Sequence, residues 1–173
     1  QSYLKDYKTI AGFVTNATLH SKNTEKLQRA ELYYKQALQY AQAPEKANVL
    51  KNIAKLQLSQ GNYDEWMQTK TDLAMKYLKG EERVNTLLEI AGKTAEFKQD
   101  YLERALKETT SSRKILKPQK AVFLNKIAHH LRPIYRSQNN ADGLAKLNKL
   151  TGNQNITLPQ KLNCPLQKYS KHR

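Results

Sequence analysis

The chain has 173 residues, with 30 Lys and Arg against 15 Asp and Glu for a formal net charge of +15. That is about one domain, long enough for a substantial core, and no run of about 18 apolar residues could cross a membrane as a helix. Cys164 is the single cysteine, so no intrachain disulfide can form, and six Gly and five Pro among abundant Ala, Leu, Lys, Gln and Glu favour helix throughout.

Tyr3, Leu4, Tyr7, Ile10, Ala11 and Val14 fall on one helical face and predict a first A helix from Tyr3 to about His20. Ser21-Lys22-Asn23-Thr24 supplies turn and N-cap residues. Leu27, Ala30, Tyr34, Ala37, Leu38 and Ala41 give the first B helix, ending near Ala43. Pro44 suits the first turn of the next helix, where its missing N–H costs nothing. That second A helix carries Val49, Leu50, Ile53, Ala54 and Leu56 and ends at Gly61, a left-handed C-terminal residue.

Asn62-Tyr63-Asp64-Glu65 reads as a capping box, opening a second B helix with Tyr63, Trp66, Met67, Leu73, Ala74, Tyr77 and Leu78 inward. Gly80 ends it, and Glu81-Glu82 put acids at the positive end of the third A helix, whose stripe is Val84, Leu87, Leu88, Ala91 and Ala95. Asp100-x-x-Glu103 is the expected cap of a third B helix, which Thr109-Thr110-Ser111-Ser112 should break. Pro118 starts the fourth A helix, with Val122, Phe123, Leu124, Ile127, Ala128 and Leu131; Pro133 should kink it or end it early. Asn139-Asn140 is the next turn, and Ala141, Leu144, Ala145 and Leu147 make a short last B helix. Residues 152–173 lose the pattern and read as a basic C-terminal extension, packed partly through Ile156, Leu158 and Leu162 and fraying from Tyr169.

One phrase recurs on the A helices: Tyr7-x-x-Ile10-Ala11, Leu50-x-x-Ile53-Ala54, Leu87-x-x-Ile90-Ala91 and Leu124-x-x-Ile127-Ala128, at intervals of 43, 37 and 37 residues. A period of that size marks stacked helical repeats. With Gly61-Asn62-Tyr63-Asp64-Glu65 as an inter-helix turn and Ala30, Tyr34 and Ala37 as small, aromatic and small B-helix positions, residues 3–151 resemble a tetratricopeptide repeat array. The period of 37 exceeds that family's about 34, and Trp66 stands where a small residue is usual. The resemblance implies an all-α, right-handed stack of about four αα-hairpins, an α-solenoid. A plain helical bundle is the alternative.

The same resemblance implies a concave groove lined by the A helices, here by Lys5, Lys8 and Gly12; by Asn48, Lys51, Asn52 and Lys55; by Asn85, Glu89 and Gly92; and by Asn125, Lys126, His129 and Arg132. Lys51 and Lys55 are one turn apart, as are Asn125 and His129, so each pair can grip one ligand. Gly12 and Glu89 depart from the carboxylate clamp that holds acidic chaperone tails in this family, so that ligand is not expected. The alternative for all of these is an ordinary solvated helix face.

Charge is uneven. Residues 1–108 hold 17 Lys/Arg and 14 Asp/Glu, a balance of +3; residues 109–173 hold 13 and a single acid, Asp142, a balance of +12. Arg113, Lys114, Lys117 and Lys120 are the densest cations, with Arg136 further on. Such a block calls for a polyanionic partner, or else keeps a helical surface soluble.

No glycine-rich phosphate loop, nucleophile elbow or carboxylate pair is present. His129-His130 point about 100° apart with no further ligand at i+3 or i+4, so no metal is expected there. Cys164 has no neighbour to activate it. The tyrosines read as core residues, except Tyr135 and Tyr169 inside the basic block. Asn16-Ala17-Thr18 and Asn155-Ile156-Thr157 fit the glycosylation pattern at the frequency chance provides. The start at Gln1 rather than Met points to a removed leader, and so to export or an organelle, or to an excised piece.

These residues predict a non-enzymatic adaptor without cofactor or metal, binding a protein segment in the groove and an acidic protein or complex through its basic C-terminal third. An RNA- or DNA-binding helical repeat is the alternative.

Overall fold

The computed structural model describes residues 2–18 and 24–152, with side chains from Tyr3 to Phe13 and from Glu25 to Gly152. Over them the protein is all-α, with eight α-helices and no strand: α1 (Ser2–Thr18), α2 (Thr24–Tyr40), α3 (Ala43–Gln60), α4 (Tyr63–Asp72), α5 (Glu81–Lys93), α6 (Lys98–Ser111), α7 (Lys117–Ser137) and α8 (Ala141–Thr151). A π-helical segment, Leu73–Tyr77, continues α4. His20, the turn Ser21-Lys22-Asn23, the extension with Cys164, Tyr169 and His172, and the Asn155 sequon lie outside the described residues, as do the side chains of Val14 and Asn16. No described helix is long and apolar enough to cross a membrane.

Each helix packs chiefly on its neighbours along the chain, from α1 on α2 through to α7 on α8. The recurring phrase explains how. Its small residue, Ala11, Ala54, Ala91 or Ala128, is buried every time, because a methyl is all that fits where helices cross closely. Its isoleucine is buried at Ile53, Ile90 and Ile127, but Ile10 is 43% exposed. Ile53 shares a core with Ala11, Leu27, Ala30 and Tyr34 of the preceding helices; no described helix precedes α1 to cover Ile10 in the same way. A second, larger core runs from Ala54 and Trp66 through Leu87, Ile90 and Leu102 to Ile127, Leu131 and Leu147. Each buried aliphatic side chain there is worth about 1.5–3 kcal/mol.

The punctuation works as its chemistry dictates at most ends. Pro44 and Pro118 sit in the first turns of α3 and α7. Gly61 closes α3 at φ 77° and Gly80 precedes α5 at φ 61°, both conformations that favour glycine. Asn139 turns the chain at φ 53°, and the Asn140 side chain accepts from the Gly143 N–H at 2.8 Å to cap α8.

Three local expectations fail. Asn62 does not cap α4: its amide donates back to Gln60 Oε1 at 3.4 Å. Its neighbour Tyr63, expected inward, is 59% exposed. Asp100 is no cap either, because α6 has already started at Lys98, and Asp100 pairs instead with Arg104 at 2.9 Å. The run Thr109-Thr110-Ser111-Ser112 does end α6, whose last residue is Ser111, while the first three hydroxyls donate back to the carbonyls of Ala105, Leu106 and Lys107 inside the helix. Of the two outcomes expected at Pro133, an early end does not occur, since α7 runs on to Ser137.

Two polar clusters tie successive hairpins. Glu31, buried on α2, accepts from Gln57 and Gln60 of α3 at 3.1 Å each and pairs with Lys35 at 2.8 Å. Arg83 of α5 reaches back over the π-helical segment, donating from Nε to the carbonyls of Ala74 at 2.9 Å and Leu78 at 2.8 Å. Its Nη1 donates to Glu108 of α6 at 3.0 Å, and the other oxygen of Glu108 accepts the Gly80 N–H at 2.7 Å.

Candidate binding surfaces

The cations of the last two helices stand apart from the rest. Ion pairs gather on α2 to α6 and the π-helical segment: Arg29 with Glu25, Lys35 with Glu31, Lys51 with Glu82, Lys70 with Glu89, Lys76 with Asp72, Arg83 with Glu108 and Arg104 with Asp100. Among the described residues, no cation from Arg113 onward has an acid partner. The reason is arithmetical, since Asp142 is the only acid beyond Glu108. Arg113, Lys114, Lys117 and Arg136 are exposed. Lys120 is half-buried and its Nζ lies 3.4 Å from the Thr110 carbonyl. Lys117, Lys120 and Asn125 join Leu124, Leu150 and Thr151 around a depression of 210 Å3 between the start of α7 and the end of α8. Two ammonium groups on an apolar floor suit a carboxylate attached to an aliphatic segment.

The predicted groove residues lie on α1, α3, α5 and α7 in differing surroundings. Lys8 lines an 820 Å3 depression formed by α1, the end of α2 and the start of α3. Asn48 and Lys55 are exposed and Asn52 is half-buried on α3. Lys51 is held 3.2 Å from Glu82 on α5, so the expected Lys51 and Lys55 grip meets a carboxylate already in place. Glu89 is likewise taken by Lys70 at 2.6 Å. On α7, Lys126 and His129 are exposed, and His129 packs edge-on against His130 with centroids 5.3 Å apart. Asn125 shares the walls of the depression between α7 and α8 with Lys117 and Lys120. Arg132 donates to Thr151 Oγ1 at 2.7 Å, joining α7 to α8.

Titratable chemistry is sparse. Burial, then the nearby charge of Lys98, holds His130 below the usual histidine range, so it stays neutral at pH 7. Tyr135 is buried, not exposed beside the cations as expected, and its hydroxyl donates to Glu103 at 2.9 Å. Among the described residues no three His, Cys, Asp or Glu side chains converge on a common point.

Sequence reasoning missed one feature of the N-terminal depression. Tyr40 forms part of its wall, with Tyr7 stacked against it at 6.0 Å and Tyr3 within 5.8 Å. The signal was there in Tyr40 itself, which falls off the inward stripe of α2, but its meeting with α1 is a tertiary fact. No family model, curated protein or solved structure matches the chain.

Proposed function

We propose that this protein is a non-enzymatic adaptor, a right-handed, tetratricopeptide-like stack of four αα-hairpins whose last hairpin holds an acidic protein surface. The observation that carries this reading is the set of cations from Arg113 to Lys149 that have no acid partner among the described residues. Residues 1–108 carry nearly as many acids as cations, 14 against 17, whereas residues 109–173 carry one acid against 13 cations, so the excess is local and available to an outside anion. The depression with Lys117, Lys120, Leu124 and Leu150 adds an apolar component that a protein side chain uses and a phosphate backbone does not.

A nucleic-acid partner draws on the same charge. Single-stranded binders add aromatic platforms for bases, whereas between residues 109 and 152 the aromatic residues Phe123 and Tyr135 are both buried. That favours protein.

The test is anisotropy of labelled polyglutamate and of a labelled mixed-sequence single-stranded oligonucleotide, each titrated with the full chain at roughly 50 and 200 mM salt. Polyglutamate should bind, and an Arg113→Gln/Lys117→Gln/Lys120→Gln variant should weaken it about tenfold, or roughly 1.4 kcal/mol. Tighter oligonucleotide binding that collapses over the same salt range would replace the protein partner with nucleic acid. Failure of both probes to bind at the lower salt would remove the electrostatic reading.

A further inference from the structure

At the opposite end of the chain the 820 Å3 depression combines two cations with an exposed aromatic ring. Its walls include Lys5 and Lys8 of α1, Tyr40 at the end of α2, and Gln42 and Glu45 at the start of α3. Neither lysine makes an ion pair among the described residues. Tyr40 is 51% exposed, yet its ring is fixed from behind by the stacked ring of Tyr7, at an interplanar angle of 11°. A rigid, half-open aromatic surface gives contact area at little entropic cost, and a proline ring in an extended segment fits such a surface with its own conformation already set.

We propose that this groove binds an extended, acidic, proline-bearing protein segment. A proline packs on Tyr40, flanking carboxylates meet Lys5 and Lys8, and the Gln42 amide both donates to and accepts from the segment's backbone. Glu45 on the same wall sets the class of ligand. A run of phosphates would pass a carboxylate at close range, while a peptide can turn an N–H toward it. The proposal rests on the adaptor reading in taking the ligand to be protein, but it uses other helices than the cations of α7 and α8.

The test is anisotropy of a short fluorescein-labelled peptide of alternating Glu and Pro, titrated with the full chain up to roughly 1 mM. Two comparison peptides replace every Glu by Gln or every Pro by Ala. The Glu-Pro peptide should saturate, and each comparison peptide should bind about tenfold more weakly or worse. Tyr40→Ala and Lys8→Gln should weaken the Glu-Pro peptide by a similar factor. Tyr40→Phe should retain it, and Lys117→Gln/Lys120→Gln should leave it unchanged. Circular dichroism melting checks the fold; if Tyr40→Ala fails to fold, Lys8→Gln and Tyr40→Phe carry the comparison.

Absence of saturation, indifference to Lys8→Gln, or equal loss with the Lys117→Gln/Lys120→Gln variant would each overturn the proposal. So would displacement of the peptide by a single-stranded oligonucleotide at lower concentration than by unlabelled peptide. If polyglutamate still binds α7 and α8 while the Glu-Pro peptide does not saturate, the groove proposal falls and the adaptor reading stands.

Discussion

The Tyr135 hydroxyl on α7 donates to the Glu103 carboxylate on α6, and this contact draws into the interior a tyrosine that the surrounding charge would have left at the surface. Burial first, then the hydrogen bond and negative charge of Glu103, push the phenol from 10.0 up to about 12. The folded state thus favours the neutral phenol. Its contribution is fully present below pH 10, the unfolded value, and is lost as pH rises from there through about 12. Tyr135→Phe should flatten the fall of stability in that window, as measured by urea denaturation at several alkaline pH values. Parallel curves for the two proteins would contradict the assignment.

The same ring dictates Gly143. A Cβ there would lie 2.7 Å and 2.8 Å from two ring carbons of Tyr135. Gly→Ala inside a helix ordinarily gains about 1 kcal/mol, whereas overpacking costs about 1–3 kcal/mol. Glu103 holds the ring, so the clash wins, and Gly143→Ala should destabilise by about 1 kcal/mol. In a Tyr135→Ala background the same change should be neutral or stabilising. A double-mutant cycle by thermal melting reads the coupling.

Two copies of one repeat position should differ in energy. Ile53→Ala empties a buried site and should cost about 2–5 kcal/mol. Ile10→Ala touches a half-exposed side chain and should cost under about 1 kcal/mol. Equal costs in urea denaturation would mean that Ile10 is covered in solution, by residues outside those described or by a second copy.

Ion pairs should rank by burial rather than by length. Glu108→Ala strips acceptors from both Arg83 and the Gly80 N–H in a mostly buried setting, and should cost about 1–3 kcal/mol. Glu25→Ala removes a 2.7 Å pair that is mostly exposed on both sides and should cost at most about 0.5 kcal/mol. Chemical denaturation of the two variants decides it.

The parts of the fold legible in the sequence were those fixed by neighbours along the chain. Pro44, Gly61, Gly80, Pro118 and Asn140 mark helix ends because each acts on its own backbone. The phrase around Ala54, Ala91 and Ala128 marks the crossings because its spacing is helical. What was missed involves a choice between partners. Asn62 and Asp100 could have capped but found other neighbours. Lys51, Glu89 and Arg132 looked free because Glu82, Lys70 and Thr151 come from elsewhere in the chain. Such partners are a tertiary matter that spacing along the chain does not carry, whereas the cation excess beyond Glu108 follows from counting.

The Leu78 N–H closes the π-helical segment onto the Leu73 carbonyl, while the carbonyls of Ala74 and Leu78 are completed by Arg83 from the next hairpin. The seam after Lys79 is therefore a poor place to divide the molecule. A fragment stopping there would expose acceptors that Arg83 normally covers, and a fragment starting there would carry a guanidinium with Glu108 as its remaining partner. Halves made at this point should therefore each be less stable than the intact chain, and mixing them should restore part of the loss.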